Sequence, residues 1–319
     1  MAADREVQIL VFSNVEERHL VRIREVDPRV RVTAVDRQHG IELAPSAEIM
    51  VGWNVPQEAV GRAPQLRWIH STGAGVDSLL FPEIMSREIM LTTSSGIHRS
   101  VVEHVFAVIL VFTRRLHLAL RDQLKRQWDR SRASGGEELQ GKTLGVLGLG
   151  TIGAEIAQKA HAFGMRVIGM RRTAEPVPGV DLVVGSDGLS TVLQASNAVV
   201  VALPLTPHTR GLIGEDAFRM MKPSALFINI GRGPIVQEQA LVSALRDARI
   251  AGAALDVFER EPLPAHSPLY EFENVIITPH VSGTSPAYMD RAVPVFCENL
   301  HRYLHGEPLR NVVDKELGY

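Results

Sequence analysis

A glycine-rich turn, Gly148-Leu-Gly-Thr-Ile-Gly153, is the feature that most constrains the fold. Residues 142–147 before it have the pattern of a short buried strand, and residues 154–163 after it carry apolar side chains at helical spacing. Strand, glycine turn and helix in this order are typical of a dinucleotide site, because glycines let the backbone approach a pyrophosphate at the helix N-terminus. The predicted contacts of this turn are Gly148, Gly150, Thr151, Ile152 and Gly153.

The position of the turn, with 147 residues before it, requires a separate domain in front of it. A chain of 319 residues is also long for a single hydrophobic core. We therefore predict an α/β fold of two Rossmann-like or flavodoxin-like, doubly wound parallel-sheet domains with an active-site cleft between them. The expected substrate-binding domain is discontinuous, with residues 1–98 and 286–319, and residues 99–285 form the dinucleotide-binding domain.

Alternating strand and helix patterns along both halves support parallel sheets built from βαβ units. Strands are predicted near residues 7–12, 30–33, 49–51, 66–69, 89–92, 142–147, 166–168, 198–201, 225–228, 251–255 and 274–277. Helices are predicted near residues 16–25, 100–120, 154–163, 215–221, 237–247 and 286–304. The last helix follows the final strand and is expected to cross back to the first domain.

The composition limits the cell compartment and the classes of binding partner that we expect. Hydrophobic residues make up 45% of the chain, charged residues make up 22%, and the net charge is -2, which favours neither nucleic acid nor an anionic membrane as partner. The one cysteine, Cys297, excludes an internal disulfide and fits a reducing compartment. No signal-peptide pattern opens the chain, and the longest apolar stretch, residues 101–112, is too short to span a bilayer. We expect a cytoplasmic protein without a metal.

Three further segments each follow a predicted strand. They are Asn229-Ile-Gly-Arg-Gly-Pro234, Asp256-Val-Phe-Glu-Arg-Glu-Pro-Leu263 and Thr278-Pro-His-Val-Ser-Gly283. With the glycine turn and residues 71–77 and 95–104, they resemble the D-isomer-specific 2-hydroxyacid dehydrogenases over most of the chain. Within that family, the chain looks like an NADP-preferring glyoxylate or hydroxypyruvate reductase.

The chemistry of 2-oxo acid reduction agrees with this resemblance, because ligands of open α/β sheets bind beyond the carboxyl ends of the strands. Arg232 offers a planar fork for a carboxylate, and His280 can carry a proton near neutral pH. Glu261 is the carboxylate expected to orient that imidazole. The resemblance implies the same catalytic roles. Taken singly, the three residues also fit a surface ion pair, a packed loop histidine and a turn cap.

Two arginines indicate which nicotinamide cofactor is used. Where an NAD site usually has an acidic residue for the ribose 2′-hydroxyl, this chain has Arg171 and Arg172. Two guanidinium groups would attract a 2′-phosphate, so NADP(H) is expected, with NAD(H) possible; the alternative is two solvent-exposed arginines without a ligand. Asp256 is expected near the carboxamide or as the cap of the turn after its own strand. Further cofactor contacts implied by the resemblance are Leu203, Pro204, Thr209, Ile230, Gly231, Arg232, Asp256, His280 and Gly283.

The expected substrate contacts are Trp53, Gly73, Ala74, Gly75, Arg232 and His280, with His98, Tyr288 and Met289 as further candidates. Gly73-Ala-Gly75 resembles a family loop whose backbone N–H groups bind the substrate carboxylate as a nest; otherwise it is a tight turn. Trp53 either walls the pocket or belongs to the core. The long helix from Ser100, with Arg114-Arg115 and the basic, amphipathic residues 118–128 after it, resembles the region through which this family forms homodimers; otherwise its charged residues are a solvated face.

These observations together predict NADP(H)-dependent reduction of 2-oxo acids to D-2-hydroxy acids. Glyoxylate and hydroxypyruvate are the first substrates to test. One alternative is a nucleotide-sensing corepressor or scaffold of the same fold with weak turnover. Another is formate or phosphite oxidation, although formate dehydrogenases, which this chain resembles, have glutamine at the position of Glu261.

Overall fold

The structure is a computed structural model that describes residues 5–319. Its strands are β1 (Val7–Val11), β2 (Val30–Ala34), β3 (Ile49–Val51), β4 (Trp68–Ser71), β5 (Met90–Thr93), β6 (Thr143–Leu147), β7 (Arg166–Met170), β8 (Leu182–Val184), β9 (Ala198–Val201), β10 (Leu226–Asn229), β11 (Gly252–Leu255) and β12 (Val275–Ile277). Its helices are α1 (Glu17–Arg24), α2 (Arg37–Leu43), α3 (Gln57–Gly61), α4 (Pro82–Met85), α5 (Arg99–Thr113), α6 (Leu116–Leu124), α7 (Arg130–Ala133), α8 (Thr151–Ala162), α9 (Leu189–Ala195), α10 (Glu215–Met220), α11 (Glu238–Arg246) and α12 (Tyr288–Leu304).

The chain forms two compact units. The split unit contains the residues up to Ile97 together with Ser285–Tyr319, and the continuous unit contains His98–Thr284. The split unit has a five-stranded sheet in the order β2-β1-β3-β4-β5, and the continuous unit has a seven-stranded sheet in the order β12-β11-β10-β9-β6-β7-β8. All paired strands are parallel. The predicted fold class, two doubly wound parallel-sheet domains, is confirmed.

The strand order of the continuous unit places a topological switch between β6 and β9. Helices and strands after β6 extend the sheet in one direction through β7 and β8, and those after β9 extend it in the other. Ligands of such sheets bind at the carboxyl ends of the strands beside this switch. The glycine turn directly follows β6 and therefore lies at the switch.

Apolar side chains cover both faces of each sheet, as parallel strands require. In the continuous unit, Leu147 and Val201 belong to the buried cluster on one face, while Val146 and Val200 belong to the cluster on the other. This burial on both faces explains why residues 144–147 of β6 and all four residues of β9 have no polar side chain.

Helix α12 completes the core of the split unit. Its residues Val293, Phe296 and Leu300 are at most 3% exposed and pack with Ile9 and Trp68 of the sheet. Fully burying a side chain of this size contributes about 1.5–3 kcal/mol. Residues 285–319 therefore belong to the same structural unit as the residues up to Ile97.

The structure corrects the prediction of one long helix over residues 100–120. Helix α5 ends at Thr113, and α6 begins at Leu116 after Arg115 adopts a left-handed backbone with φ 53°. The apolar pattern continues at helical spacing across this break, but its surroundings change. Phe112 is buried, whereas Leu116 and Leu120 are 47% and 57% exposed. A pattern of residue types does not distinguish these two environments.

Strand β8 and the short helices α2, α3, α4, α7 and α9 were not predicted from the sequence. Strand β8 has three residues at the sheet edge, paired only with β7, and α9 has seven residues. Elements this short carry too few side chains to show a periodicity. None of the helices within residues 5–319 is both long enough and apolar enough to cross a bilayer.

Candidate functional site

The glycine turn after β6 is packed against the end of the neighbouring strand β9. Gly148 has φ 102°, and a Cβ atom there would lie 2.6 Å from the carbonyl oxygen of Ala202. A Cβ atom on Gly153 would lie 1.8 Å from the carbonyl oxygen of Gly148. Both positions therefore require glycine, the first for the turn and the second for the close contact of α8 with that turn.

Gly150 has no such packing constraint. A Cβ atom there would meet no heavy atom within 4 Å, although Gly150 is the residue that caps the N-terminus of α8. The exposed Thr151 and half-buried Ile152 follow it in the first turn of α8. Unsatisfied N–H groups and the positive end of the helix dipole favour an anion at such a position. The open space in front of Gly150 fits a pyrophosphate.

Arg171 and Arg172 directly follow β7, at the same edge of the sheet. The backbone N–H of Arg171 donates to the carbonyl of Val184 at 3.1 Å, which fixes the start of this segment against β8. The Arg171 side chain is 35% exposed, and its guanidinium lies 3.9 Å from the Glu175 carboxylate, which is 71% exposed. An exposed pair at that distance contributes little. Glu175 is a nearby carboxylate that sequence reasoning overlooked.

The segment after β9 forms a closed turn. The hydroxyl of Thr209 donates to the carbonyl of Pro204 at 2.7 Å and accepts from the backbone N–H of Thr206 at 2.8 Å. A Cβ atom on Gly231 would lie 2.8 Å from the carbonyl oxygen of Leu203. The structure therefore brings Leu203, Pro204 and Thr209 to the carboxyl edge beside Gly231, with Thr209 holding its own turn.

Asn229 organises the turn that carries Arg232. Its side-chain carbonyl accepts from the N–H of Gly231 at 3.1 Å, and its amide donates to the carbonyl of Arg232 at 3.1 Å. Ile230 lies inside this turn and is 9% exposed. The half-buried Arg232 donates from its guanidinium to the Gly231 carbonyl at 2.8 Å. Asn229 was not proposed from the sequence, where its position at the end of a strand was the available signal.

Gly233 brings the Arg232 turn against the segment that carries Glu261. A Cβ atom on Gly233 would lie 1.8 Å from the backbone carbon and oxygen of Phe258. The backbone N–H of Phe258 in turn donates to Glu261 Oε1 at 2.9 Å. Only glycine allows these two backbones to approach so closely, and the contact makes the Arg232 and Glu261 segments neighbours.

Glu261 and His280 form a direct pair. His280 Nδ1 lies 2.7 Å from Glu261 Oε2. The His280 side chain is 31% exposed and the Glu261 side chain is 37% exposed. An ionised carboxylate only accepts hydrogen bonds, so Nδ1 carries the proton and donates it to Glu261. The pair fixes the orientation of the His280 ring.

The backbone of His280 is held in an unusual conformation by Asp256. His280 has φ 53°, in the left-handed region that few non-glycine residues adopt. Its N–H donates to the Asp256 carbonyl at 2.9 Å. The Asp256 carboxylate accepts from the N–H groups of Val281 and Ser282 at 2.9 and 3.0 Å, and from the hydroxyl of Thr278 at 2.6 Å. Asp256 thus caps the turn after β12 that presents His280, rather than the turn after its own strand β11.

The charge of Asp256 is stabilised by the same contacts. Burial by itself raises the pKa of this carboxyl, but hydrogen bonds from Ser282, Thr278 and Val281 outweigh burial and hold the pKa below its ordinary value. Asp256 is 1% exposed, so it is an ionised carboxylate inside the protein whose charge is balanced by donated hydrogen bonds. Thr278 also lies 3.4 Å from Nε2 of the half-buried His104.

Gly283 and His98 lie at the start of α5. The carbonyl of Gly283 accepts from the Ser100 hydroxyl at 2.9 Å, and His98 precedes the first residue of the helix and is 6% exposed. These contacts connect the end of the His280 segment to α5. Within the described part of the chain, no group of three or more histidine, cysteine, aspartate or glutamate side chains is arranged to hold a metal ion.

The expected substrate loop lies in the split unit, after β4. A Cβ atom on Gly73 would lie 2.5 Å from the ring of Trp53, so the two residues are in contact. Neither Gly73 nor Gly75 has a positive φ. Over residues 5–319, no acceptor is found for the N–H groups of Ala74 and Gly75.

The other two substrate candidates of the split unit have structural contacts. Tyr288 donates its hydroxyl to the carbonyl of Thr72 at 2.6 Å. Met289 packs against the hydrophobic core beneath α12. Tyr288 therefore borders the loop, whereas Met289 contributes to packing.

The chain is similar to known proteins in sequence and in structure. Residues 106–282 match the profile described as "D-isomer specific 2-hydroxyacid dehydrogenase, NAD binding domain". A glyoxylate reductase from Thermofilum pendens is 37% identical over 272 residues, which cover 82% of this chain and 79% of that protein.

Two further relatives extend the comparison. A D-3-phosphoglycerate dehydrogenase from Methanocaldococcus jannaschii is 33% identical over 317 residues, 97% of this chain, but the chain spans only 59% of the length of that relative. The crystal structure of an NADPH-dependent glyoxylate/hydroxypyruvate reductase from Sinorhizobium meliloti, in complex with NADP and sulfate, superimposes with a TM-score of 0.86 at 29% identity. That match covers 98% of this chain and 100% of the other.

Substitution of two neighbouring glycines by alanine should separate binding from folding. Gly150→Ala has room for its methyl group and should leave the unfolding temperature unchanged, but it should weaken NADPH binding about tenfold, because the methyl fills the space in front of α8. Gly153→Ala places a methyl 1.8 Å from a backbone oxygen and should cost about 1–3 kcal/mol of stability. Titration calorimetry and thermal unfolding measure the two effects. Unchanged NADPH affinity in Gly150→Ala would show that no phosphate approaches this turn.

Proposed function

Because the chain belongs to the D-isomer specific 2-hydroxyacid dehydrogenase family, we propose that it reduces 2-oxo acids to D-2-hydroxy acids with NADPH. The observation that carries the proposal is the hydrogen bond between His280 and Glu261, at 2.7 Å, on a turn held by Asp256. A histidine oriented by a carboxylate and presented at the carboxyl edge of a nucleotide-binding sheet is suited to general acid catalysis. We assign dinucleotide binding to the continuous unit and most of the substrate pocket to the split unit.

His280 is proposed as the proton donor. The doubly protonated imidazole donates from Nδ1 to Glu261 and holds a second proton at Nε2. Reduced nicotinamide, held by the glycine turn and the segments beside it, would supply the hydride for the 2-carbon. His280 then gives its Nε2 proton to the carbonyl oxygen and remains as the neutral imidazole with Nδ1–H still bonded to Glu261. Glu261 keeps the ring in the orientation that this transfer needs.

Arg232 is proposed to bind the carboxylate of the substrate. Its guanidinium provides several donors in one plane, which match the two oxygens of a carboxylate. Asn229 holds the Arg232 turn, and the Gly233–Phe258 contact places this turn beside the Glu261 segment. In this position Arg232 would hold the acid near the Glu261–His280 pair of the same unit.

Arg171 and Arg172 are proposed to bind the 2′-phosphate of NADPH. Both follow β7 directly, and β7 adjoins the β6 strand that leads into the glycine turn. The exposed Glu175 pairs with Arg171 too weakly to cancel its charge toward a phosphate. The relative from Sinorhizobium meliloti, whose structure contains NADP, is consistent with this choice. The proposal places the enzyme in the cytoplasm, where reduced Cys297 is stable.

The first experiment is a panel of 2-oxo acids followed by the decrease in NADPH absorbance. We expect turnover of glyoxylate or hydroxypyruvate, and the panel includes the 2-oxo acid formed by oxidising 3-phosphoglycerate, because a relative acts on that compound. His280→Gln should lower kcat at least about a hundredfold, since it removes the acid. Its dissociation constant for NADPH should change less than about twofold, because the glycine turn is untouched.

The matched control is His266→Gln, at an exposed histidine of the same unit. It should behave as the wild-type protein. Absence of turnover with every acid and both cofactors would refute the proposed function. An equal loss of kcat in both variants, or a parallel loss of NADPH binding in His280→Gln, would remove His280 from the chemistry.

The cofactor assignment is tested by Arg171→Ala with Arg172→Ala. Loss of two cations facing a 2′-phosphate should raise KM for NADPH about tenfold to a hundredfold and leave KM for NADH nearly unchanged. Arg166→Ala, at the other end of β7, is the control and should alter neither KM. Equal KM values for the two cofactors in the wild-type protein would contradict the role of both arginines.

We also propose that the protein is a homodimer that associates through the continuous unit. Leu120, Leu124 and Trp128 in and after α6 are 57%, 86% and 98% exposed, which is unusual for side chains of this size in a monomer. Water contact with these apolar groups is removed if the same surface of a second copy covers them.

The dimer proposal is tested by Leu124→Glu with Trp128→Glu in sedimentation velocity. The wild-type protein should sediment as a dimer, and the double variant should dissociate, because two carboxylates in an apolar interface lose hydration without partners. Tyr270→Glu, at a residue of the same unit that is 53% exposed, should leave the dimer intact. A wild-type monomer at micromolar concentration would contradict the proposal.

A further inference from the structure

The loop after β4 is fixed by contacts that neither the sequence nor the proposed reaction explains. Thr72, Gly73, Ala74 and Gly75 connect the end of β4 to the residues before Asp77. The peptide group between Thr72 and Gly73 is bonded at both ends. Its carbonyl accepts from the Tyr288 hydroxyl at 2.6 Å, and its N–H donates to the Ser71 hydroxyl at 3.2 Å. The plane of this peptide is therefore set just before the N–H groups of Ala74 and Gly75.

Tyr288 is suited to a permanent contact of this kind. It is the first residue of α12, whose core side chains are buried beneath the sheet of the split unit. Burial raises the pKa of its hydroxyl to about 12, against a smaller opposing effect of Arg291. The hydroxyl therefore keeps its proton and remains a donor at every pH at which the protein would work.

A buried chain of hydrogen bonds supports the other side of the loop. Trp68 Nε1 donates to the Thr92 hydroxyl at 2.8 Å, and His70 joins Thr92 and Ser94, with Nδ1 and Nε2 lying 2.8 and 2.9 Å from the two hydroxyl oxygens. The backbone N–H of Ser94 then donates to the carbonyls of Ser71 and Gly73 at 3.0 and 3.3 Å. Thus β4 and the residue after β5 hold the loop from beneath.

His70 is the neutral residue that connects the Thr92 and Ser94 hydroxyls in this chain of hydrogen bonds. It is completely buried, and burial lowers its pKa to about 3. A neutral imidazole has one donor and one acceptor nitrogen, so it joins the Thr92 and Ser94 hydroxyls with a fixed direction of donation. A buried polar chain with every partner present is rigid, and a broken one is costly. The loop therefore stands on a support that does not titrate near neutral pH.

We propose that Tyr288 is a positioning residue that, with the His70–Ser94 support, preorganises the N–H groups of Ala74 and Gly75 for the substrate carboxylate. The inference rests on the proposed function, because it takes this loop as the carboxylate site. Donors that are already oriented bind an anion without the entropic cost of ordering the loop. Tyr288 thereby acts on substrate affinity through Thr72, without touching the reacting atoms.

The test compares two tyrosines of α12. Tyr288→Phe removes the bond to Thr72, which follows β4. Tyr303→Phe removes a bond of 2.7 Å to Glu48, which directly precedes the central strand β3 and therefore lies at the amino-terminal ends of the strands. Both tyrosines are partly buried. We expect Tyr288→Phe to raise KM for the 2-oxo acid about threefold to tenfold, as the loss of one hydrogen bond allows. Its kcat and KM for NADPH should stay within about twofold of wild type.

Tyr303→Phe should leave all three kinetic constants unchanged. Ser94→Ala, which removes the partner of His70 without touching α12, should raise KM for the acid in the same direction as Tyr288→Phe. A rise in KM in both tyrosine variants, or in neither, would overturn the inference, since the effect would then be general loss of stability or no effect at all.

Hydrogen exchange measured by mass spectrometry gives a readout that does not need turnover. Peptides that cover residues 69–79 should exchange faster in Tyr288→Phe than in the wild-type protein and Tyr303→Phe, because the N–H of Gly73 belongs to the peptide group whose carbonyl loses its bond to Tyr288. Equal exchange in all three proteins would refute the positioning role. If the wild-type protein reduces no 2-oxo acid but the loop loosens in Tyr288→Phe, the proposed function fails while the structural support of the loop stands.

Discussion

The parallel arrangement of the seven-stranded sheet is the constraint on which the dinucleotide site depends. Parallel strands point in one direction, so all segments that follow them emerge at a single edge. The glycine turn, Arg171, the Arg232 turn, Asp256 and His280 come from distant parts of the sequence, yet each follows a strand of this sheet. Registered pairing of β10 with β11 and of β11 with β12 places the ends of these strands side by side. Strand pairing brings the segments of the site together, and contacts within each segment then orient its side chains.

Asp256 holds the turn that carries His280 in its conformation. A charge that is 1% exposed would cost several kcal/mol if it had no partners. Here the carboxylate accepts two backbone N–H bonds and one hydroxyl bond, and bonds to a charged group contribute about 1.5–3 kcal/mol each. The same bonds compensate for the left-handed backbone of His280, which by itself costs about 1–3 kcal/mol. One acidic side chain thus stabilises its own charge and the conformation of the turn that carries the proposed proton donor.

The fold class and the glycine turn could be predicted because each rests on a repeated or contiguous pattern. Strand β6, the turn and α8 are adjacent in sequence, and the glycines are needed for packing within that segment. The pairing of Glu261 with His280 was also within reach, since residue types and strand ends suggested it. The break between α5 and α6 at Arg115 could not be predicted, because it depends on what surrounds Leu116 and not on residue type. The contact of Gly233 with Phe258 depends on which loops become neighbours, and only the sheet order determines that. Asn229 was missed although its two bonds are local, within its own turn.

The division of the split unit between the two ends of the sequence affects the order of its assembly. One face of the sheet formed by β1 to β4 is covered by α1 together with Val293, Phe296 and Leu300 of α12. A ribosome makes these three residues after the whole of the continuous unit, so the apolar face of the first strands has no complete cover while residues 98–284 are synthesised. The continuous unit can collapse around its own core first, and the earliest part of the chain acquires its native cover last.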